Sequence, residues 1–135
     1  MALDREALLD LAINQYFIGC NNHDLDAVMN TFADDCVMWF PASTFRYDGK
    51  APLLTHFKDF LGTFPTVNFH DFINTVDPES QSITSRFKVQ LIDEAGEEVV
   101  MRNCNFFYVN DDGLFNEIVI YNTSPIQKGF EAGSD

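Results

Sequence analysis

Positive charge is scarce in this chain. Eight Lys and Arg stand against 21 Asp and Glu, a formal net charge of −13 over 135 residues. A surface of that sign repels phosphate backbones and anionic headgroups, so neither nucleic acid nor a membrane is expected as a partner. The basic residues (Arg5, Arg46, Lys50, Lys58, Arg86, Lys88, Arg102, Lys128) are scattered and form no stripe. Cysteine is thin as well: Cys20, Cys36 and Cys104 sit among apolar neighbours without Cys-x-x-Cys spacing. An odd count in such segments reads as buried free thiols in a reducing compartment. Also missing are a Gly-rich phosphate loop after a strand, a Gly-x-Ser-x-Gly turn, and metal-ligand spacing around His23, His56 or His70. No cofactor, no metal and no serine or cysteine nucleophile is therefore indicated. No apolar run reaches membrane-spanning length, and MALDREALLD carries acids where a secretory signal has a basic region and an apolar run. A cytoplasmic protein is expected.

Apolar volume, in contrast, is plentiful. Hydrophobic residues make up 46% of the chain and aromatics 14%, with fourteen Phe. A single domain over residues 1–135 of this size buries roughly two-thirds of the unfolded chain's surface, enough for a core and for the lining of a cavity. Residues after about 125 read as a polar tail.

The order of elements follows from periodicity and turn chemistry. A helix is predicted from about Asp4 to Cys20, with Leu9, Ala12, Ile13, Tyr16 and Cys20 on its apolar side. Asp24 is placed to cap a second, short helix, on which Leu25, Val28, Met29 and Phe32 share a face. Ala33-Asp34-Asp35 ends it, and Cys36 to Phe40 reads as a buried strand closed by Pro41. After a polar stretch from Ala42 to Lys50, Pro52 opens a third helix carrying Leu54, Phe57 and Leu61. Four further strands follow: up to Val76, Ile83 to Ile92, Val99 to Val109 and Leu114 to Tyr121. Asp77-Pro78-Glu79-Ser80, Asp93-Glu94-Ala95-Gly96 and Asn110-Asp111-Asp112-Gly113 turn the chain between them. The order ααβαββββ is an α+β arrangement, a curved antiparallel sheet with helices on one side.

The helix, the acid-capped second helix, Ala-Asp-Asp, and a strand ending in Pro together resemble the NTF2-like superfamily. The likeness is strongest to its SnoaL-like, ketosteroid-isomerase-like and scytalone-dehydratase-like members. It runs from Leu8 to about Tyr121 and implies a cone in which the helices pack on the concave side of the sheet around a hydrophobic pocket. This cone hosts isomerases, dehydratases, cyclases, hydrolases and plain binders. Members commonly pair through the outer sheet face, so a homodimer is expected.

The resemblance also distributes roles. Tyr16 stands where the isomerases hold their oxyanion-hole tyrosine, and a phenol in an apolar pocket can donate to a developing enolate. The competing assignment is a core tyrosine whose hydroxyl meets a backbone carbonyl. Asn105, counted back from Asp112-Gly113, falls where those isomerases place a protonated aspartic acid. A carboxamide donates without pKa tuning, although a strand asparagine can equally bond across the sheet. His70, with Asn74 four residues on, resembles the base of the scytalone-dehydratase type, and an imidazole suits that work near neutral pH. The acid that orients such a base appears here as Asn21. Simple alternation puts His70, Phe72, Asn74 and Val76 on one face of their strand, and Val67, Phe69, Asp71 and Ile73 on the other.

Phe40 departs from the isomerase pattern, which has an acid before this proline. A phenyl ring accepts no proton, so steroid isomerisation by the usual route is not expected. Trp39, Phe40, Phe57, Phe87 and Tyr121, together with Phe69 and Phe106, are candidates to line a pocket for a small hydrophobic molecule. Arg86 and Arg102 lie on strands, placed either to hold a carboxylate or to pair with surface acids. Two functions follow. One is a cofactor-independent lyase or isomerase that dehydrates, isomerises or cyclises a small cyclic or polyketide-like compound, with Tyr16, His70 and Asn105 as catalytic residues. The other is a non-catalytic member that binds a small ligand or dimerises.

Overall fold

The computed structural model describes residues 2–123. It is α+β, with three helices laid over one six-stranded curved sheet. The first helix, α1, spans residues 5–21 and changes its winding twice. Arg5–Leu9 is α-helical, Asp10–Phe17 is wound as a π-helix, and Ile18–Asn21 returns to α. Asp4 caps its start, accepting from the Ala7 N–H at 2.8 Å. In the π segment the backbone hydrogen bonds join residues five apart and each turn is wider than in an α-helix. Leu11 with Tyr16, and Ala12 with Phe17, are accordingly both buried. The helical spacing expected from sequence missed Leu8, Leu11 and Phe17, and put Leu9 and Ile13 inside, where they are only half-buried.

Helix α2 is Leu25–Met29, with Asp24 as its cap, accepting from the Ala27 N–H at 3.1 Å. Phe32 does not continue it. Strand β1 runs Phe32–Phe40, so Ala33, Asp34 and Asp35 belong to the strand rather than to a helix end. The polar stretch after Pro41 contains a short strand, β2 (Phe45–Asp48), which turns back on β1 with Phe40 opposite Phe45. Gly49, at φ +99°, adopts a backbone that favours glycine and starts helix α3, Lys50–Thr63. Leu53, Phe57 and Leu61 are that helix's buried stripe. Strands β3 (Thr66–Asp77), β4 (Ser82–Ile92), β5 (Glu98–Val109) and β6 (Phe115–Asn122) then form a meander.

The sheet order is β2-β1-β6-β5-β4-β3. Every pairing is antiparallel except β1 with β6, which run parallel because the chain crosses back over the sheet through α3 and the meander. The core lies between the helices and the inner face. Phe17, fully buried, packs against Phe69, Phe72, Phe87 and Phe107 with centroids 4.6–5.6 Å away.

One irregularity decides which side chains face that core. Between His70 and Ile73 the register of β3 against β4 slips, and Asp71 takes φ +57°. A bulge of this kind inserts a residue and reverses the alternation beyond it. Val67 and Phe69 therefore share the inner face with Phe72 and Val76, all packed on the core. The two-face assignment drawn from simple alternation does not hold across the bulge. His70 lies opposite Lys88, and Ile73, 58% exposed, looks outward beside it.

Candidate active site

Inside the cone, between α1, α3 and the inner sheet face, is a small cavity of about 60 Å³. Its walls are mostly aromatic: Phe40 from the end of β1, Phe57 and Phe60 from α3, Phe69 from β3 and Phe87 from β4. Met38 and Ile120 complete the apolar lining. Four polar side chains also reach it, namely Tyr16, His56, Asn103 and Asn105.

Tyr16 is 3% exposed, and its ring is held edge-on by Phe17, Phe107 and Phe57 at 5.0, 5.4 and 6.1 Å. Burial raises its hydroxyl well above the ordinary phenol value, and Cys20 and Cys36 nearby add to the shift. It therefore stays a neutral phenol, able to donate a hydrogen bond. Cys36 is itself pushed up to about 12, mainly by burial, so it is a thiol rather than a nucleophilic thiolate. Burial raises Cys20 too.

Asn103 and Asn105 are two residues apart on β5 and so project to the same face. Asn105 is 2% exposed. The Oδ1 atoms of both are buried with no hydrogen-bond partner among the described residues. A buried acceptor left unmet costs on the order of 1–3 kcal/mol. The two stand on the same wall of an otherwise mostly apolar cavity.

His56 was not singled out in the sequence as a site residue. It sits on α3 one turn before Phe60, with Tyr47 at 4.4 Å, Phe57 at 5.0 Å and Phe40 at 6.3 Å between ring centroids. Burial among these rings pushes its pKa down to about 4, with Asp59 pulling weakly the other way. At neutral pH the imidazole is uncharged, one nitrogen a donor and the other an acceptor. A signal for it existed. His56 follows the buried Leu53 by three residues and precedes Phe60 by four, so it belongs to the inward flank of the helix.

The residues singled out from sequence divide between two faces. Tyr16, Asn105, Phe40, Phe57 and Phe87 converge on the cavity. His70 does not. As the strand neighbour of inward-facing Phe69 it is on the outer face, where Nδ1 lies 3.6 Å from Asp71 Oδ1 and the side chain is 41% exposed. Asn21 does not reach it either. Its Nδ2 donates to the Phe69 carbonyl at 3.0 Å, and its Oδ1 accepts from the Phe69 N–H at 2.8 Å. Both ends of that amide are engaged in latching α1 to β3. Trp39 and Tyr121 are also on the outer face; Trp39 Nε1 donates to Glu117 Oε2 at 3.2 Å, and Tyr121 stands edge-on to Phe106. Phe106 shares that face. Arg86 and Arg102 are exposed there, opposite Cys104 and Lys88 respectively. Among the described residues no three His, Cys, Asp or Glu side chains converge in a way that could hold a metal ion. None of the described helices is long and apolar enough to cross a membrane.

Comparison with known proteins agrees with this fold. The family model for the SnoaL-like domain matches residues 13–118. No curated protein matches the chain by sequence. Among solved structures, the epoxide hydrolase/cyclase-like enzyme SalBIII, described as acting in pyran ring formation in the polyether salinomycin, superposes with a TM-score of 0.77 at 15% identity. The match covers 88% of this chain and 92% of that one. The BvnE pinacolase of Penicillium brevicompactum superposes at 0.75 and 16% identity, covering 87% and 86%. A protein with a cystatin-like fold from Methylobium petroleophilum superposes at 0.74 and 21% identity, covering 96% and 84%.

Proposed function

The chain belongs to the SnoaL-like family, and from that premise we propose that it is a cofactor-independent proton-transfer enzyme of the lyase or isomerase type. Its substrate on this reading is a small, uncharged, cyclic or polyketide-like compound bearing an enolisable carbonyl. The observation that carries the proposal is the set of polar groups in the cavity: a neutral phenol, two carboxamides with unmet oxygens, and an uncharged imidazole, all in a water-poor aromatic wall. The pinacolase and the cyclase-like enzyme among its structural neighbours support a reaction of this general class.

The chemistry is proton abstraction beside a carbonyl. The substrate oxygen enters the cavity and accepts from the Tyr16 hydroxyl. His56 takes the α-proton, the C–H pair becomes the enolate π-bond, and charge gathers on the oxygen facing Tyr16. A pKa of about 4 makes His56 a weak base in the empty cavity. An enolate forming a few ångströms away raises it, because an opposite charge favours the imidazolium. His56 then returns the proton to a different carbon for isomerisation, or to a departing hydroxyl for dehydration. Asn103 and Asn105 hold the substrate's hydroxyl or enol hydrogen and fix its orientation.

The test is deuterium exchange at the α-carbon of 2-tetralone and cyclohexanone in D2O, followed by NMR. Exchange catalysed by the wild-type protein and abolished in His56→Phe and Tyr16→Phe is the expected result. No catalysed exchange with either ketone would refute the proposal. One observation favours the second reading, a non-catalytic binder: Phe40 lines the cavity where relatives with a proton-shuttling acid have that acid. The outer sheet face, with Val100 64% and Tyr121 45% exposed, is the surface we assign to a homodimer, to be tested by light scattering.

A further inference from the structure

The wall between the cavity and the surface is thin at one place. His56 and Phe60, one turn apart on α3, line the cavity from within, and the same two residues line a surface groove of about 520 Å³. Tyr47 of β2 and Pro52, Thr55, Asp59 and Thr63 of α3 form the rest of that groove. The cavity by itself holds roughly four to six waters at ~10–15 Å³ each. Sites for drug-sized ligands run to about 300–1,000 Å³, so the cavity accepts only the oxygen-bearing end of a molecule.

We propose that this groove is a second chamber of the same site, a subsite for the flat, uncharged body of a ligand whose hydroxyl or enol end passes between His56 and Phe60. The proposal rests on the reading that the cavity is where the ligand's oxygen binds. Three features fix the ligand class. The wall rings are nearly parallel: His56 and Phe60 are inclined by 15° with centroids 6.2 Å apart, and Phe60 and Phe69 by 6° at 6.3 Å. The groove itself carries the Tyr47, His56 and Phe60 rings, an apolar contact area that suits a fused aromatic system. The groove's only charged side chain is Asp59, in a protein of net charge −13, so a carboxylate or phosphate on the ligand body is repelled. At the inner end the unmet Asn103 and Asn105 oxygens call for a hydrogen-bond donor, supplied by a hydroxyl or an enol.

Calorimetric titration of the full chain with 2-naphthol, phenol and 2-naphthoate tests the assignment. Thr55 is exposed on the groove, and Thr55→Trp fills the chamber without touching the cavity. The expected result in Thr55→Trp is at least a tenfold loss of 2-naphthol affinity and a smaller loss of phenol affinity. 2-Naphthoate should bind the wild type at least tenfold more weakly than 2-naphthol. Circular dichroism reports folding; Thr63→Trp, on the same groove, replaces a Thr55→Trp that does not fold. If both tryptophan variants keep 2-naphthol within twofold while Asn105→Leu weakens it, the body lies elsewhere and the second chamber is overturned alone. If the wild type binds neither 2-naphthol nor phenol, the cavity reading falls and the chamber falls with it.

Discussion

Replacing Asn105 by Leu should stabilise the protein and disable it together. The side chain is 2% exposed, and its Oδ1 has no partner among the described residues. Removing a buried acceptor of that kind recovers on the order of 1–3 kcal/mol. Leucine has nearly the same volume, and in the register Asn105 stands between Ser85 on β4 and Ile120 on β6, whose side chain is 5% exposed. A branched side chain does not match the planar amide perfectly, and repacking of that order costs up to about 1.5 kcal/mol. The net gain is then about 1 kcal/mol. For a domain between the small and mid-sized classes, 1 kcal/mol moves Tm by roughly 3–5 °C. Scanning calorimetry should show a rise of that size, while α-proton exchange on 2-tetralone falls at least tenfold. The opposite pairing refutes the reasoning. If Tm drops by several degrees and exchange survives, the amide is a satisfied structural group, and the polar atoms around the cavity are ordinary core.

Two further predictions follow from the same geometry. His56 is held at about 4 against an ordinary value of 6.5, so the unfolded chain takes up this proton first as pH falls. Its contribution to stability is complete above pH 6.5 and is lost between 6.5 and 4, amounting to about 2 kcal/mol between neutral pH and pH 4.5. The unfolding free energy of wild type, from urea titration, should fall by about that amount relative to His56→Phe over this range, and parallel profiles would contradict a buried neutral imidazole. Asn21→Ala removes both hydrogen bonds that latch α1 to Phe69 and leaves a strand N–H and C=O unmet, costing about 2 kcal/mol in urea unfolding. Exchange activity per folded molecule at low temperature should persist; its loss without loss of stability would restore a catalytic role for that amide.

The parts of the site that the sequence placed correctly in space are those fixed by features close along the chain. Asp24 capping α2 and the turn at Asp112-Gly113 each settle a local geometry through hydrogen bonds to near neighbours, and the second of them sets the register of β5 against β6. Asn105 could therefore be counted back from that turn onto the inner face. Tyr16 was placed by position on the first helix, and it falls inside under either winding, since it follows Ala12 by four residues and Leu11 by five. Phe17 had no such protection. Its burial depends on the five-residue spacing that a 3.6-residue helix does not produce, and it became visible only once the backbone of Asp10–Phe17 was known.

His70 shows the same limit on a strand. The inward apolar residues before it, Val67 and Phe69, fall on odd positions, whereas those after it, Phe72 and Val76, fall on even ones, so the two stretches are out of step by one. That mismatch is what a one-residue bulge looks like in a string of letters, with Phe69 and Phe72 both needing the core and an odd pair of polar residues between them. Read that way, Asp71 is the inserted residue, and His70 points outward as the strand neighbour of Phe69. The base must then be sought on another element, and His56 is the imidazole with both an aromatic enclosure and a cavity in front of it. Mixed polarity on both faces of β3 is thus the trace of a shifted register, and the shift moves the candidate for the proposed base from the sheet to α3.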